Sequence, residues 1–264
     1  MSGPVEVDAI VLTTLRYGET SKIVRLATRE LGVQSAIAKG ALRPRSRFAT
    51  ALQPLSLGRG LLILSRRSDL HTLTAFELTH VPSGLGAALQ RFVAASVLAE
   101  MMLRFAPAAQ HAEAYDLLAN ALLDLESTPR DRAGSHGLRW LWRLVAVLGF
   151  EPALDSCVMD GTPISEEGPL AFSVLEGGAL CPPCARTTAA SFLPPADRSD
   201  LAALLAKRAP IPELDPPHEA AHRRLLSRYV RAQLGDDAPL PALDFWQHEL
   251  ATDSQQPAAD SQQP

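Results

Sequence analysis

The sequence predicts a multidomain α+β chain: a small closed β-barrel, then a helical domain that is interrupted by a cysteine-bearing insert. Three observations carry this reading. Residues 5–80 alternate apolar and polar side chains with a period near two. From about residue 84 the apolar residues recur at three- and four-residue steps instead. Residues 151–195 are irregular, rich in Gly and Pro, and hold all three cysteines, Cys157, Cys181 and Cys184. A chain of 264 residues, 47% apolar and 20% charged, can bury a sizeable core but is long for one domain.

In the first segment Val5, Val7, Ala9 and Val11 alternate with Glu6, Asp8 and Ile10. The turn Tyr17-Gly18-Glu19-Thr20 leads into a second strand at 22–26, and Arg29-Glu30-Leu31-Gly32 into a third at 33–37. Two more strands are expected at 60–66 and 70–78, joined at Arg67-Ser68-Asp69. Several short strands with tight turns point to a barrel, and the frequent Val and Thr argue against helix. Between the third and fourth strands runs Lys39-Gly40-Ala41-Leu42-Arg43-Pro44-Arg45-Ser46-Arg47-Phe48. Gly40 and Pro44 make it an exposed loop.

The first helix is expected to present Leu85, Leu89, Phe92, Val93, Val97, Met101 and Phe105 on one face and to close at Pro107. Tyr115, Leu118, Leu122 and Leu125 define a second, ending at Pro129. Leu138, Leu141, Leu144, Val145 and Leu148 define a third, capped by Gly149, with Trp140 and Trp142 packing on its neighbours. Helical pattern resumes at 199–207 and 218–234, the latter stopped by Gly235. The tail repeats Asp-Ser-Gln-Gln-Pro and buries nothing, so 251–264 is expected to be disordered. The expected division is therefore 1–80 for the barrel, 81–150 with 196–250 for the helical domain, and 151–195 for the insert.

No apolar run is long enough to span a membrane, and the acidic residues 1–8 lack a basic n-region and an apolar h-region. The expected location is cytoplasmic. Three cysteines do not make a disulfide framework there; metal binding or inert burial fits better.

The net charge of −4 hides an asymmetry. Residues 1–80 carry eleven Lys and Arg against six Asp and Glu, a net of +5, which leaves −9 for the rest. Such an imbalance points to an anionic partner for the first segment. Nearly all the cations are Arg, whose planar fork suits phosphate. Lys39, Arg43, Arg45 and Arg47 form the densest cluster. If the strands close, Arg16, Lys22, Arg25, Arg66 and Arg67 are candidates to lie on or beside the same face. A merely solubilising loop is the alternative. Phe48 beside it reads as a core anchor or, less readily, a base-stacking platform.

Cys181-Pro182-Pro183-Cys184 is a CxxC after the turn-like Gly177-Gly178. Two thiolates at that spacing can grip one tetrahedral zinc, but a ribbon needs a second pair. Cys157-Val158-Met159-Asp160 is half of one, with Asp160 where a fourth cysteine would stand. A three-cysteine, one-aspartate zinc site and a metal-free knuckle both remain open. His218-Glu219-Ala220-Ala221-His222 matches the HExxH pattern of zinc peptidases. Its context argues against that chemistry. Pro216 and Pro217 put His218 in the first helical turn, and a third ligand, Asp244 or Glu249, is only a guess. No phosphate-cradling glycine motif, dinucleotide fingerprint or nucleophile elbow occurs, so the chain reads as a non-enzyme.

Together these residues resemble the RecO family of bacterial DNA-repair and recombination mediators. The specific piece is Ala38-Lys39-Gly40-Ala41-Leu42-Arg43-Pro44-Arg45-Ser46-Arg47-Phe48 followed by Leu52-Gln53-Pro54-Leu55. Ala9-Ile10-Val11-Leu12, Tyr17-Gly18-Glu19 and Ser21-Lys22-Ile23-Val24 agree with it, and Leu225-Leu226-Ser227-Arg228-Tyr229 agrees more weakly. The resemblance implies an N-terminal OB-fold barrel, a helical domain and, in many members, a zinc ribbon. It implies binding of single- and double-stranded DNA, annealing of complementary strands, and action with RecR to load RecA onto strands coated by single-strand-binding protein. The C-terminal peptide of that protein is an implied ligand, and a nucleoid-associated place in the cytoplasm follows. Members with the ribbon use four cysteines; Asp160 departs from that pattern. The alternatives are a zinc metallopeptidase using His218, Glu219 and His222, or a zinc-ribbon transcription factor.

Overall fold

The computed structural model describes residues 3–48, 50–106, 108–234 and 239–253, with side chains through 248. The expected helix stops at Pro107 and Gly235 lie outside the described residues, as does the tail from 254; the last helix itself runs to Asp253. The chain divides into two compact units, Met1–Glu151 and Pro152–Pro264. That cut differs from the expected division: helices before residue 151 cluster with the barrel, and those after it with the insert.

In the first unit β1 (Val5–Tyr17), β2 (Ser21–Thr28), β3 (Gly32–Ala38), β4 (Leu57–Ile63) and β5 (Leu70–His80) close a barrel in the order β1-β2-β3-β5-β4. The β3–β5 pairing is parallel and the others antiparallel, which makes the barrel OB-like. Val7, Ala9, Val11, Val24, Leu26 and Leu73 fill its interior. The alternation predicted for β1 holds only in part, since Ile10 and Leu12 are buried too. The β1–β2 register shifts between Val11 and Thr13, a bulge that re-aims the strand, and the first helix packs against β1. After β3 the chain returns Ala41, Phe48, Ala51 and Leu52 to the same core. β4 starts and ends three residues earlier than the expected strand at 60–66, so Arg66 falls in the β4–β5 loop.

A 3-10 turn (Ser83–Ala87) precedes α1 (Leu89–Phe105), α2 (Ala112–Ser127) and α3 (Ala133–Val145). Val93, Val97 and Met101 are buried as expected, and Leu85 is buried in the separate turn. Leu89 and Phe92 are each 50% exposed, a correction to the expected stripe. They sit in the first turn of α1, ahead of the seam where α1 meets α3. That seam is tight: a Cβ on Gly137 would lie 2.9 Å from Ala94 Cβ. Trp142 is fully buried, while Trp140 is half-buried and donates its Nε1–H to Asp124 Oδ2 at 2.7 Å. Gly149 ends the helical run at φ 93°.

The second unit begins with a three-stranded sheet, so the insert is less irregular than its composition implies. β6 (Leu170–Ser173) lies between β7 (Gly178–Ala179) and β8 (Ser191–Leu193), with the short α4 (Pro182–Ala185) after β7. Three helices follow: α5 (Pro195–Leu205), α6 (Pro216–Leu234) and α7 (Pro241–Asp253). Each opens on a proline, which needs no N–H partner in the first turn. The sheet is bound to α6 by the Phe172 and Tyr229 rings, 6.0 Å apart, by Tyr229 Oη–H to Gly177 O at 3.2 Å, and by Gln233 Nε2–H to Val174 O at 2.7 Å.

Candidate nucleic-acid interface and metal centre

The basic loop starts where three strands end together. Ala38, the last residue of β3, pairs with Lys22 of β2, and Lys22 pairs on its other side with Arg16 of β1. The Leu42 N–H donates to Thr20 O at 2.8 Å and holds the loop over the β1–β2 hairpin. Two further turns follow, closed by Arg43 N–H to Gly40 O and Ser46 N–H to Arg43 O, both at 3.1 Å. They need left-handed backbone at Gly40 (φ 72°) and at Arg45 (φ 64°). Lys39, Arg43, Arg45, Arg47 and Arg16 are exposed and Lys22 is half-buried. Phe48 is only 2% exposed, beneath the Arg47 guanidinium at 5.4 Å from the ring centroid. It anchors the core and offers no open face for stacking.

Arg25 lies elsewhere. It pairs with Thr13 on one side and Ser35 on the other, on the outer surface of the barrel. Together with Leu15, Ile23, Asp69 and Arg104 it lines a groove of about 540 Å³. Its Nε is buried without a hydrogen-bond partner. Arg66 and Arg67 are exposed in the β4–β5 loop that leads into Asp69 at this groove. The predicted cations therefore form two groups, one at the hairpin end and one beside the β2–β3 outer face, rather than a single patch. Arg104 joins this groove from α1, a helix whose apolar pattern signals only packing. Two cations behind the net charge of +5 are neutralised locally. Arg29 grips Asp116 through both carboxylate oxygens at 2.8 and 3.1 Å, and Arg59 meets Glu6 at 3.7 Å.

In the second unit Cys157, Asp160, Cys181 and Cys184 converge, each with a donor atom within 4.8 Å of the others. The Cys181 and Cys184 thiols donate to Asp160 Oδ2 at 3.3 and 3.5 Å. Donors of a tetrahedral site with Zn–S near 2.3 Å and Zn–O near 2.1 Å stand about 3.6 Å apart, so the spacing fits a four-coordinate ion. Two turns present the donors. Gly161 N–H bonds Cys157 O at 2.8 Å with Gly161 at φ 74°, and Ala185 N–H bonds Cys181 O at 2.9 Å in α4. Thr162 N–H, at 2.9 Å, holds the Asp160 carboxyl far below the usual carboxylate range, assisted by Cys157 and Cys181. Burial alone would raise the Cys157 thiol, but the backbone N–H groups of Cys181, Met159 and Asp160 lower it. Cys184 is pushed up to about 12, first by its hydrogen bond with Cys181 and then by desolvation and the other donors. A cation would relieve this crowding of anionic groups. The donor set is compatible with a structural metal, in a four-donor cluster beside a small three-stranded sheet.

The HExxH residues do not assemble as a peptidase centre. His218 is exposed, and its Nδ1 lies 2.7 Å from Asp215 Oδ1, which raises the imidazole pKa. Glu219 is buried in an ion pair with Arg223 at 3.0 Å. His222 is 1% exposed and turns toward Asp197, 3.6 Å away. The peptidase alternative is thus unsupported, because the pattern's general base is committed to an arginine.

An OB-like barrel with an exposed basic loop, followed by helices and a thiol-rich cluster, places the chain in the class of OB-barrel proteins with an appended helical part. Comparison with known proteins gives the particular family. The model described as Recombination protein O N terminal matches residues 1–82, and Recombination protein O C terminal matches 87–243. The chain is 37% identical over 180 residues to the DNA repair protein RecO of Symbiobacterium thermophilum, covering 67% of this chain and 70% of that protein. It is 33% identical over 238 residues to the DNA repair protein RecO of Anaeromyxobacter sp. strain K, covering 88% and 92%. The chain belongs to the RecO family of DNA repair proteins.

Proposed function

We propose that the protein is a non-enzymatic mediator that binds single- and double-stranded DNA and anneals complementary strands. One observation carries the reading: an exposed run of Lys39, Arg43, Arg45 and Arg47 is tied by Leu42 to the barrel hairpin that carries Arg16 and Lys22. Phosphates held by these cations leave bases free to pair, and annealing requires only that two mutually repelling strands be neutralised. The β2–β3 outer face with Arg25, and the loop with Arg66 and Arg67, is a second track, since OB folds engage oligonucleotides there. Family resemblance supports the remaining roles: action with RecR, capture of the C-terminal peptide of single-strand-binding protein, and loading of RecA, in the nucleoid region of the cytoplasm. Cys157, Asp160, Cys181 and Cys184 would hold one zinc ion, which supplies a structural cross-link and no chemistry.

The test is fluorescence anisotropy of a labelled single strand across a salt series, on wild type and on Arg43→Glu/Arg45→Glu/Arg47→Glu. The wild type should show a steep slope of log affinity against log salt. The triple variant should flatten it by about 2, at roughly 0.7 per lost phosphate contact. An unchanged slope in a folded variant sinks the assignment.

A further inference from the structure

We propose that Asp197, Asp200 and His222 form a second cation site, in which one divalent transition-metal ion ties α5 to α6. The site shares no residue with the cysteine cluster and plays no part in the proposed DNA interface. Asp197 and Asp200 are one turn apart on α5, so both carboxylates lie on the same face. His222 reaches them from α6, and the three donor atoms lie within 4.8 Å of one another.

The second observation is the state of His222. Its side chain is 1% exposed, yet neither ring nitrogen has a hydrogen-bond partner, and Asp197 Oδ1 facing it is likewise buried and unpartnered. Buried polar atoms are paired in the great majority of cases, and two facing orphans point to a missing third party. The separation identifies it. His222 Nε2 and Asp197 Oδ1 are 3.6 Å apart, too far for a hydrogen bond. Tetrahedral donors around an ion with bonds near 2.1 Å stand about 3.4 Å apart.

The chemistry agrees. Burial lowers the His222 pKa, which keeps the ring neutral with a free lone pair. Two carboxylates balance a divalent charge. An imidazole with two carboxylates favours zinc, iron or manganese over magnesium or calcium. His222 and Asp197 also border a cavity of about 390 Å³ lined by Ser191, Arg224, Arg228 and Gln247. The fourth position can open there to water. Arg224 and Arg228 at this cavity repel a bare cation, so both carboxylates are required.

The test is metal content of the full-length protein after chelator stripping and dialysis against zinc. Asp200→Asn and His222→Asn should each lose one equivalent relative to wild type, with an unchanged circular dichroism spectrum. Cys181→Ser/Cys184→Ser should keep that equivalent. Cobalt separates the sites: the cysteine variant should show ligand-field bands without intense thiolate charge transfer, and Asp200→Asn added to it should abolish them. Equal metal in wild type and Asp200→Asn overturns the proposal and leaves a water or a direct ion pair between the groups. So does an Asp200→Asn protein whose cobalt loss is confined to the thiolate band. Should the cysteine variant fail to fold, the wild-type and Asp200→Asn comparison decides alone.

Discussion

The backbone N–H of Leu42 donates to the carbonyl oxygen of Thr20 at 2.8 Å, so the arginine-bearing loop is held against the β1–β2 hairpin. In the proposed DNA-binding role, a loop that swung free would lose entropy on meeting a strand; a loop held in this way has part of that ordering done in advance. Its left-handed residues, Gly40 and Arg45, let it turn back on itself so that its basic side chains stay exposed.

Arg45 separates backbone strain from charge. A non-glycine residue in left-handed backbone costs about 1 kcal/mol. Arg45→Gly should therefore leave the thermal midpoint unchanged or raise it slightly, while the salt slope of DNA binding falls by about 0.7. A lowered midpoint together with lost binding would mean that the Arg45 side chain holds the loop, contrary to this account.

Asp160 occupies the place of a fourth thiolate. Asp160→Cys should hold zinc more tightly in competition with a chromophoric chelator, because soft thiolate suits zinc better than carboxylate does. The neighbouring thiols and Asp160 push the Cys184 thiol up to about 12, so ion binding must release its proton. Zinc retention should fall as pH falls, in wild type and variant alike. Weaker retention by Asp160→Cys would show that the site is not built around zinc.

Asp124 joins α2 to α3 by accepting from His136 Nδ1 at 2.8 Å and Trp140 Nε1 at 2.7 Å. Burial opposes its ionisation, but these two donors and nearby Arg139 outweigh it and hold the carboxyl below its usual range. A depressed carboxylate adds stability above its unfolded pKa and loses it as pH drops through the folded value. Asp124→Asn should cost about 1 kcal/mol at pH 7. In urea melts that difference should shrink as pH is lowered below the usual carboxylate range. A difference that is equal at both ends would exclude the charged contact as its source.

Gly58 lies where β4 and β5 approach each other closely. A Cβ there would stand 2.4 Å from Glu77 O and 2.6 Å from the Phe76 ring. The oxygen belongs to the β5 backbone and cannot move without disturbing the β4–β5 pairing. Gly58→Ala should destabilise by about 3 kcal/mol, the upper range for overpacking. The same change at Gly86, which has nothing within 4 Å, should have little effect in the same denaturation assay.

Much of the candidate site is legible in one dimension. Lys39, Arg43, Arg45 and Arg47 announce themselves because no acid interrupts them. The CxxC spacing, and the aspartate at the matching offset from Cys157, name the four-donor set before any coordinates. The helix faces of α2 and α3 follow from their periodicity, since residues one turn apart must share a side. Leu89 and Phe92 obey the same periodicity and are exposed, because periodicity shows which residues share a face but not whether a neighbour covers it.

By itself the sequence determined what is local: strand against helix, the charge of the loop, and the thiol spacing. These depend on residues a few positions apart, where backbone geometry alone decides who meets whom. Only the tertiary structure decided that β3 runs parallel to β5, that Arg25 parts company with Arg16, and that His222 faces Asp197 rather than His218. Those relationships join residues remote in the chain. They depend on how elements cross and on which backbone comes close enough to seat a side chain, and no spacing along one strand or helix encodes that.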